Sequence, residues 1–144
     1  MTTNEALARY NFISQLDIKS LSKEMKVKVM SMRIELKKIQ EEFDKDVKEF
    51  TDGIVTDEIK QLASKQDRTE EEEAKYKELN EEINSSYNAY VVERANKEVD
   101  YKDKKFSDEE YAEIVGSQPE KDYTINGQNI PSGDFLEIIY TLFV

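Results

Sequence analysis

The chain has 144 residues, of which 38% are hydrophobic and 37% charged, with a net charge of −11 and neither cysteine nor histidine. Disulfides and thiolate chemistry are therefore excluded, the usual general base and the commonest zinc ligand are missing, and the length suits one modest core. The first twenty residues hold no signal-like apolar segment and no 18-residue apolar run occurs, so neither secretion by the usual route nor membrane insertion is expected.

In chain order, Ala6, Leu7, Tyr10, Ile13 and Leu16 predict a helix over 4–16 with Asn4 as its cap. Leu16-Asp17-Ile18-Lys19 reads as a short extended link. Ser20 or Ser22 can cap the next helix, predicted over about 22–52. There Met25, Val29, Met32, Leu36, Ile39, Phe43, Val47 and Phe50 recur in steps of three and four, a near-heptad seam. Gly53 reads as a left-handed stop. Val27, Met30 and Ile34 widen the stripe and predict a second neighbour for its N-terminal half.

A short helix is expected at 57–65 through Ile59, Leu62 and Ala63. Thr69 with Glu72 then makes a capping box, and Glu70–Glu73 favours the positive end of a helix dipole. That helix carries Tyr76, Leu79, Ile83, Tyr87, Tyr90 and Val91 on one side and ends near 97. Two long helices joined by a short region fold back antiparallel. A charged hinge is expected at 98–106. Ser107 and Glu110 then cap a helix that Gly116 ends, with Phe106 placed to staple onto Tyr111. Asn126-Gly127 predicts a two-residue hairpin between Tyr123–Ile125 and Gln128–Ile130. The final stretch, Phe135, Leu136, Ile138, Ile139, Leu142 and Phe143, fits a helix capped by Ser132 or Asp134, and a strand equally.

The expected fold is mainly α: one domain over 1–144, with a helical hairpin region at 1–97, the charged hinge, and a small cap at 107–144 made of a β-hairpin and a terminal helix or strand. Charge is uneven along it. Residues 1–50 hold ten basic against nine acidic side chains, whereas 51–122 hold eleven against twenty-one. Such a field disfavours binding along a nucleic-acid backbone.

Few constellations carry chemistry. Glu70–Glu73 lacks the spacing of a calcium loop and reads as a solvated helix start. There is no Gly-rich phosphate loop and no Ser-x-x-Lys arrangement, and in so acidic a chain neighbouring carboxylates arise by chance, so no catalytic, cofactor or metal residues are assigned. The candidate contact residues are instead those of a binding protein. Lys19, Lys23 and Lys26 are expected on one basic helix face. Tyr76, Tyr87 and Tyr90 offer amphipathic rings along the second long helix. Phe135, Leu136, Ile139 and Phe143 either close the core or dock onto a partner. Met25, Met30 and Met32 are open to the same two readings, core filling or an adaptable surface.

Ala6-Leu7, then Leu16-Asp17-Ile18-Lys19, then Lys26 onward into Arg33-Ile34-Glu35-Leu36-Lys37-Lys38-Ile39, resembles a group of short tailed-bacteriophage proteins encoded among virion and morphogenesis genes. Ile130-Pro131-Ser132-Gly133-Asp134-Phe135-Leu136 is similar to that group's ending. The likeness spans roughly 5–50 and 125–144, and the acidic middle has no counterpart. It implies a phage structural or assembly protein among repeated virion neighbours (capsid, portal or tail subunits, several copies in a ring), in the virion or infected host cytoplasm, and supplies no functional residues. No direct nucleic-acid, membrane or small-molecule partner is expected. Two further readings stand beside it: an acidic inhibitor of a host nucleic-acid enzyme, which needs one continuous negative face over 57–110, and a homodimeric coiled-coil adaptor, which needs the Met25–Phe50 seam to pair between chains.

Overall fold

The computed structural model describes all of residues 1–144. Its elements are α1 (Thr3–Ile13), α2 (Lys23–Ile54), α3 (Asp57–Ser64), α4 (Glu70–Ala95), α5 (Asp108–Ser117), β1 (Tyr123–Ile125), β2 (Gln128–Ile130) and α6 (Ser132–Phe143). The fold is mainly helical, with one long helix and a small antiparallel sheet before the last helix, as the periodicity predicts. Two compact units divide the chain: Met1–Gln40 with Glu98–Val144, and Glu41–Lys97. The first boundary falls inside α2 and the second just after α4. No helix is long and apolar enough to cross a membrane.

In the first unit, α1 is capped by Thr2, not Asn4. The Thr2 hydroxyl accepts from the Glu5 amide and the Glu5 carboxylate accepts from the Thr2 amide at 2.7 Å, a reciprocal capping box. At the other end Arg33 reaches over from α2. Its Nε donates to the Ile13 carbonyl at 2.9 Å, which also accepts from the Leu16 amide at 3.3 Å, and its terminal nitrogen donates to the Leu16 carbonyl, so the turn after α1 is held from α2. Ser22 caps α2 through the Met25 amide. Met25, Val29, Met32 and Leu36, one stripe of that helix, are buried. They lie in a common core with Ala6, Ile13, Ile114, Tyr123 and Ile125.

The hairpin forms as its turn residues dictate. Asn126 (φ 52°) and Gly127 (φ 75°) both occupy the left-handed region that a two-residue turn of this hand requires. Register follows, with Tyr123 opposite Ile130 and Ile125 opposite Gln128. Tyr123 and Ile125 face inward while Thr124 faces out. The terminal segment is a helix. Steps of four place Phe135, Ile139 and Phe143 on one face, all fully buried, and each such burial is worth about 1.5–3 kcal/mol. Its expected side-chain cap is absent: Pro131 occupies the N-cap position and no side chain bonds there.

Residues 98–106 lack regular structure but are anchored along their length. The Val99 amide donates to Met1 and the Phe106 amide to Phe143 at 2.6 Å. Lys104 bonds both Ser31 and Glu35. Phe106 is buried against Phe143, ring centroids 5.8 Å apart, and Tyr111 meets Tyr140 edge-on.

The second unit holds the remainder of α2 with α3 and α4. Phe50 stacks on Tyr90 with centroids 4.1 Å apart, and Asp46 pairs with Arg94 at 2.7 Å. Partner numbers fall along α4 as they rise along α2, so the two segments run antiparallel. Thr56 and Thr69 cap α3 and α4, the latter with its expected Glu72 partner. Gly53 is no stop. It lies within α2, which ends at Ile54, because the ladder continues around it through the bond from the Val55 amide to Thr51. Arg68 joins the α3–α4 connection by bonding the Leu62 carbonyl and Glu73 while covering the Tyr76 ring at 4.3 Å.

Candidate protein-binding surface

The most distinctive surface of the first unit lies on the back of its central helix. With 3.6 residues per turn, Lys23, Lys26, Val27, Met30, Ile34 and Lys38 fall within about one third of the circumference of α2, opposite the stripe that builds the core. Val27 is 63% exposed, Met30 42% and Ile34 53%. They line a shallow groove of about 520 Å³ with Lys26 and Lys38 at its rim. The second neighbour expected for these residues is not found within the first unit. The helix is thus apolar on two faces, one spent on its own core and one open, a combination that marks contact surfaces.

The expected basic face is rearranged. Lys19 sits in the turn before α2 and shares no helix face with Lys23 and Lys26, because the cap at Ser22 starts the helix after it. Lys28 points elsewhere and pairs with Glu110 at 2.6 Å. That ammonium, first by its hydrogen bond and then with the Ser107 amide, holds the Glu110 carboxyl below its ordinary value. What remains around the apolar stripe is Lys23, Lys26, Lys37 and Lys38, with Glu35, held by Lys104, completing the groove's lining. Of the methionines, Met25 and Met32 fill the core and Met30 alone belongs to the open face.

The tyrosines of α4 divide. Tyr90 is half-buried on Phe50 and Tyr76 lies under Arg68, so both are committed within the second unit, whereas Tyr87 is exposed. No residue of α4 is fully buried. The side turned away from those rings carries Glu78, Glu81, Glu82, Ser85, Ala89, Val92 and Glu93, all exposed. Two carboxylates of the Glu70–Glu73 run are occupied locally. Glu72 bonds Lys65 and the Thr69 amide, which lowers its pKa, and Glu73 pairs with Arg68.

The C-terminal residues fall on the core side of the two readings open to them. Phe135, Ile139 and Phe143 are inaccessible, and Leu136 is partly buried against the same core. A contact surface built on them is not available, since withdrawing them would empty the first unit. The α2 stripe was written in the sequence as three large apolar residues at i, i+3 and i+7 among lysines, and its openness depends on which elements fold over α2. No protein-family model, no curated protein and no solved structure matches this chain.

Proposed function

We propose that this protein is a non-enzymatic structural or assembly component of a tailed-phage particle, acting by binding capsid, portal or tail subunits. The carrying observation is the open Val27–Met30–Ile34 stripe, backed by a rigid buried face and rimmed by lysines. Large apolar side chains held outward on an anchored helix lose little freedom on docking, so their burial is retained as affinity. The phage setting rests on the resemblance of 5–50 and 125–144. The acidic-inhibitor reading needs an uninterrupted negative face over 57–110, and Lys60, Lys65, Lys75 and Lys77 interrupt that region.

The test is co-sedimentation with purified phage capsid, portal and tail assemblies. Binding to one of them, weakened about tenfold or more by joint Val27→Glu and Ile34→Glu substitution, supports the reading. No binding to any of them, or binding that ignores the substitutions, overturns it.

A further inference from the structure

The open face of α2 and the outer face of α4 are complementary in sign, length and centre. The open face of α2 carries Lys23, Lys26, Lys37 and Lys38, and the one carboxylate lining its groove, Glu35, is paired with Lys104. From 78 to 93 the chain holds four glutamates and no base. Each face runs about 15 residues, or about 22 Å of helix at 1.5 Å per residue. At the centre of the first stand Val27, Met30 and Ile34, large and protruding. At the centre of the second stand Ser85 and Ala89, small enough to let a neighbouring helix approach closely, with the apolar Val92 one turn further on. All of these central residues are exposed, with Val92 at 61%.

From this we infer that the occupant of the α2 stripe is a second copy of this chain, docked through residues 78–93 of its α4. This inference rests on the stripe being a protein-docking surface and names its partner. Lysines around the large side chains meet glutamates around the small ones, which favours this register over a like-charged α2–α2 or α4–α4 pairing. The contact is heterologous. Each copy offers one face and accepts the other, so association propagates into a ring where the rotation closes and into an open chain where it does not. A contact one helix face wide falls below about 1,200 Å², the range of transient interfaces, so assembly is concentration-dependent and weakened by salt.

The experiment is sedimentation velocity over a wide concentration range at low and high salt. It compares the wild-type chain with two charge-reversed variants whose fold is checked by circular dichroism. One variant carries Lys23→Glu, Lys26→Glu and Lys38→Glu, and the other Glu78→Lys, Glu81→Lys and Glu82→Lys. The wild type is expected to associate at low salt, and each variant alone to lose about tenfold or more in association constant. An equimolar mixture of the two is expected to associate again, because mixing restores opposite charge at both kinds of contact. A wild type that stays monomeric at every concentration overturns the inference, as does association unaffected by either reversal or a mixture that remains monomeric. If the monomeric wild type still co-sediments with phage assemblies through Val27 and Ile34, only the self-contact is rejected. Loss of both rejects the docking surface itself.

Discussion

Phe135 lies flat against Tyr123, with ring centroids 3.8 Å apart and planes within 7° of parallel. One ring comes from the β-hairpin and the other from α6, so this stack ties the two C-terminal elements to each other inside the core. Truncating Phe135→Ala is expected to cost about 3–5 kcal/mol, read from urea unfolding. The Tyr123 hydroxyl is buried with no hydrogen-bond partner in the protein. Removing an unsatisfied polar atom while keeping the ring sacrifices nothing. Tyr123→Phe should therefore leave the unfolding midpoint unchanged or raise it, and a loss above about 1 kcal/mol would show that the hydroxyl has a partner after all.

Two glycines should respond oppositely to alanine. Gly53 is helical, and a β-carbon there meets nothing within 4 Å. Gly53→Ala is expected to stabilise by about 0.5–1 kcal/mol. Gly127 stands at φ 75°, where a β-carbon is strained even in open space, so Gly127→Ala should destabilise by about 1 kcal/mol. Paired thermal melts measure both, and a destabilising Gly53→Ala would restore the left-handed stop that its position suggests.

Acid should weaken one specific pair. The Lys28 contact lowers the folded pKa of Glu110, so its stabilisation is present above the ordinary carboxylate value and lost as pH falls through the folded one. Glu110→Gln keeps a side chain able to complete the capping box and removes only the charge. It is expected to cost up to about 1 kcal/mol at neutral pH, since both partners are partly exposed. The difference from wild type should vanish in acid, as followed by urea midpoints across a pH series.

Alkali should reveal the opposite sign. Burial, reinforced by the Glu35 and Asp103 carboxylates, pushes the Tyr101 hydroxyl up to about 12 from an ordinary 10.0. The folded state keeps this proton longer than the unfolded one, so its contribution is complete below the unfolded value and disappears as pH rises toward the folded one. Tyr111 and Tyr123 are raised as well, mainly by burial. Ultraviolet titration should show a late tyrosinate fraction that shrinks in Tyr101→Phe, and a single unshifted transition for all the tyrosines contradicts this.

Arg33 joins the end of α1 to α2 through the carbonyls of Ile13 and Leu16, and burial lowers its pKa. Arg33→Met preserves the aliphatic stem but removes both donors, leaving the Leu16 carbonyl without this partner and Ile13 with only its 3.3 Å bond from the Leu16 amide. A loss of about 1.5–3 kcal/mol in chemical denaturation is expected, and a neutral result removes Arg33 from the set that holds α1 in place.

Local chemistry was legible wherever one residue pair decides the outcome. Ser107 with Glu110, Thr69 with Glu72, and Asn126-Gly127 each satisfy backbone groups within four residues, and the structure uses all three as expected. The Thr2 cap carried the same Thr-x-x-Glu signature, so the information was present although Asn4 looked adequate. Gly53 and Lys19 were harder, because a helix boundary depends on how far the hydrogen-bond ladder is held from both sides. Least legible was the fate of the apolar stripes. Met25 and Met30 are five residues apart on one helix, yet one is buried and the other exposed. That distinction is made by α5, α6 and the hairpin, which arrive from nearly a hundred residues away and leave no periodic trace within α2.

The division of the chain fixes an order of events during synthesis. Residues 41–97 are contiguous, so all the contacts within that unit become available once it emerges, whereas the first unit needs its opening forty residues and its closing forty-seven. Until Phe135, Ile139 and Phe143 arrive, the core that Met25, Val29, Met32 and Leu36 share with α1 is incomplete, and α2 carries a partly open inner face in addition to its outer one. The nascent protein thus passes through a window of stickiness that persists until α6 packs. Any assembly partner that engages α2 meets a broader apolar target during that interval than it does on the finished fold.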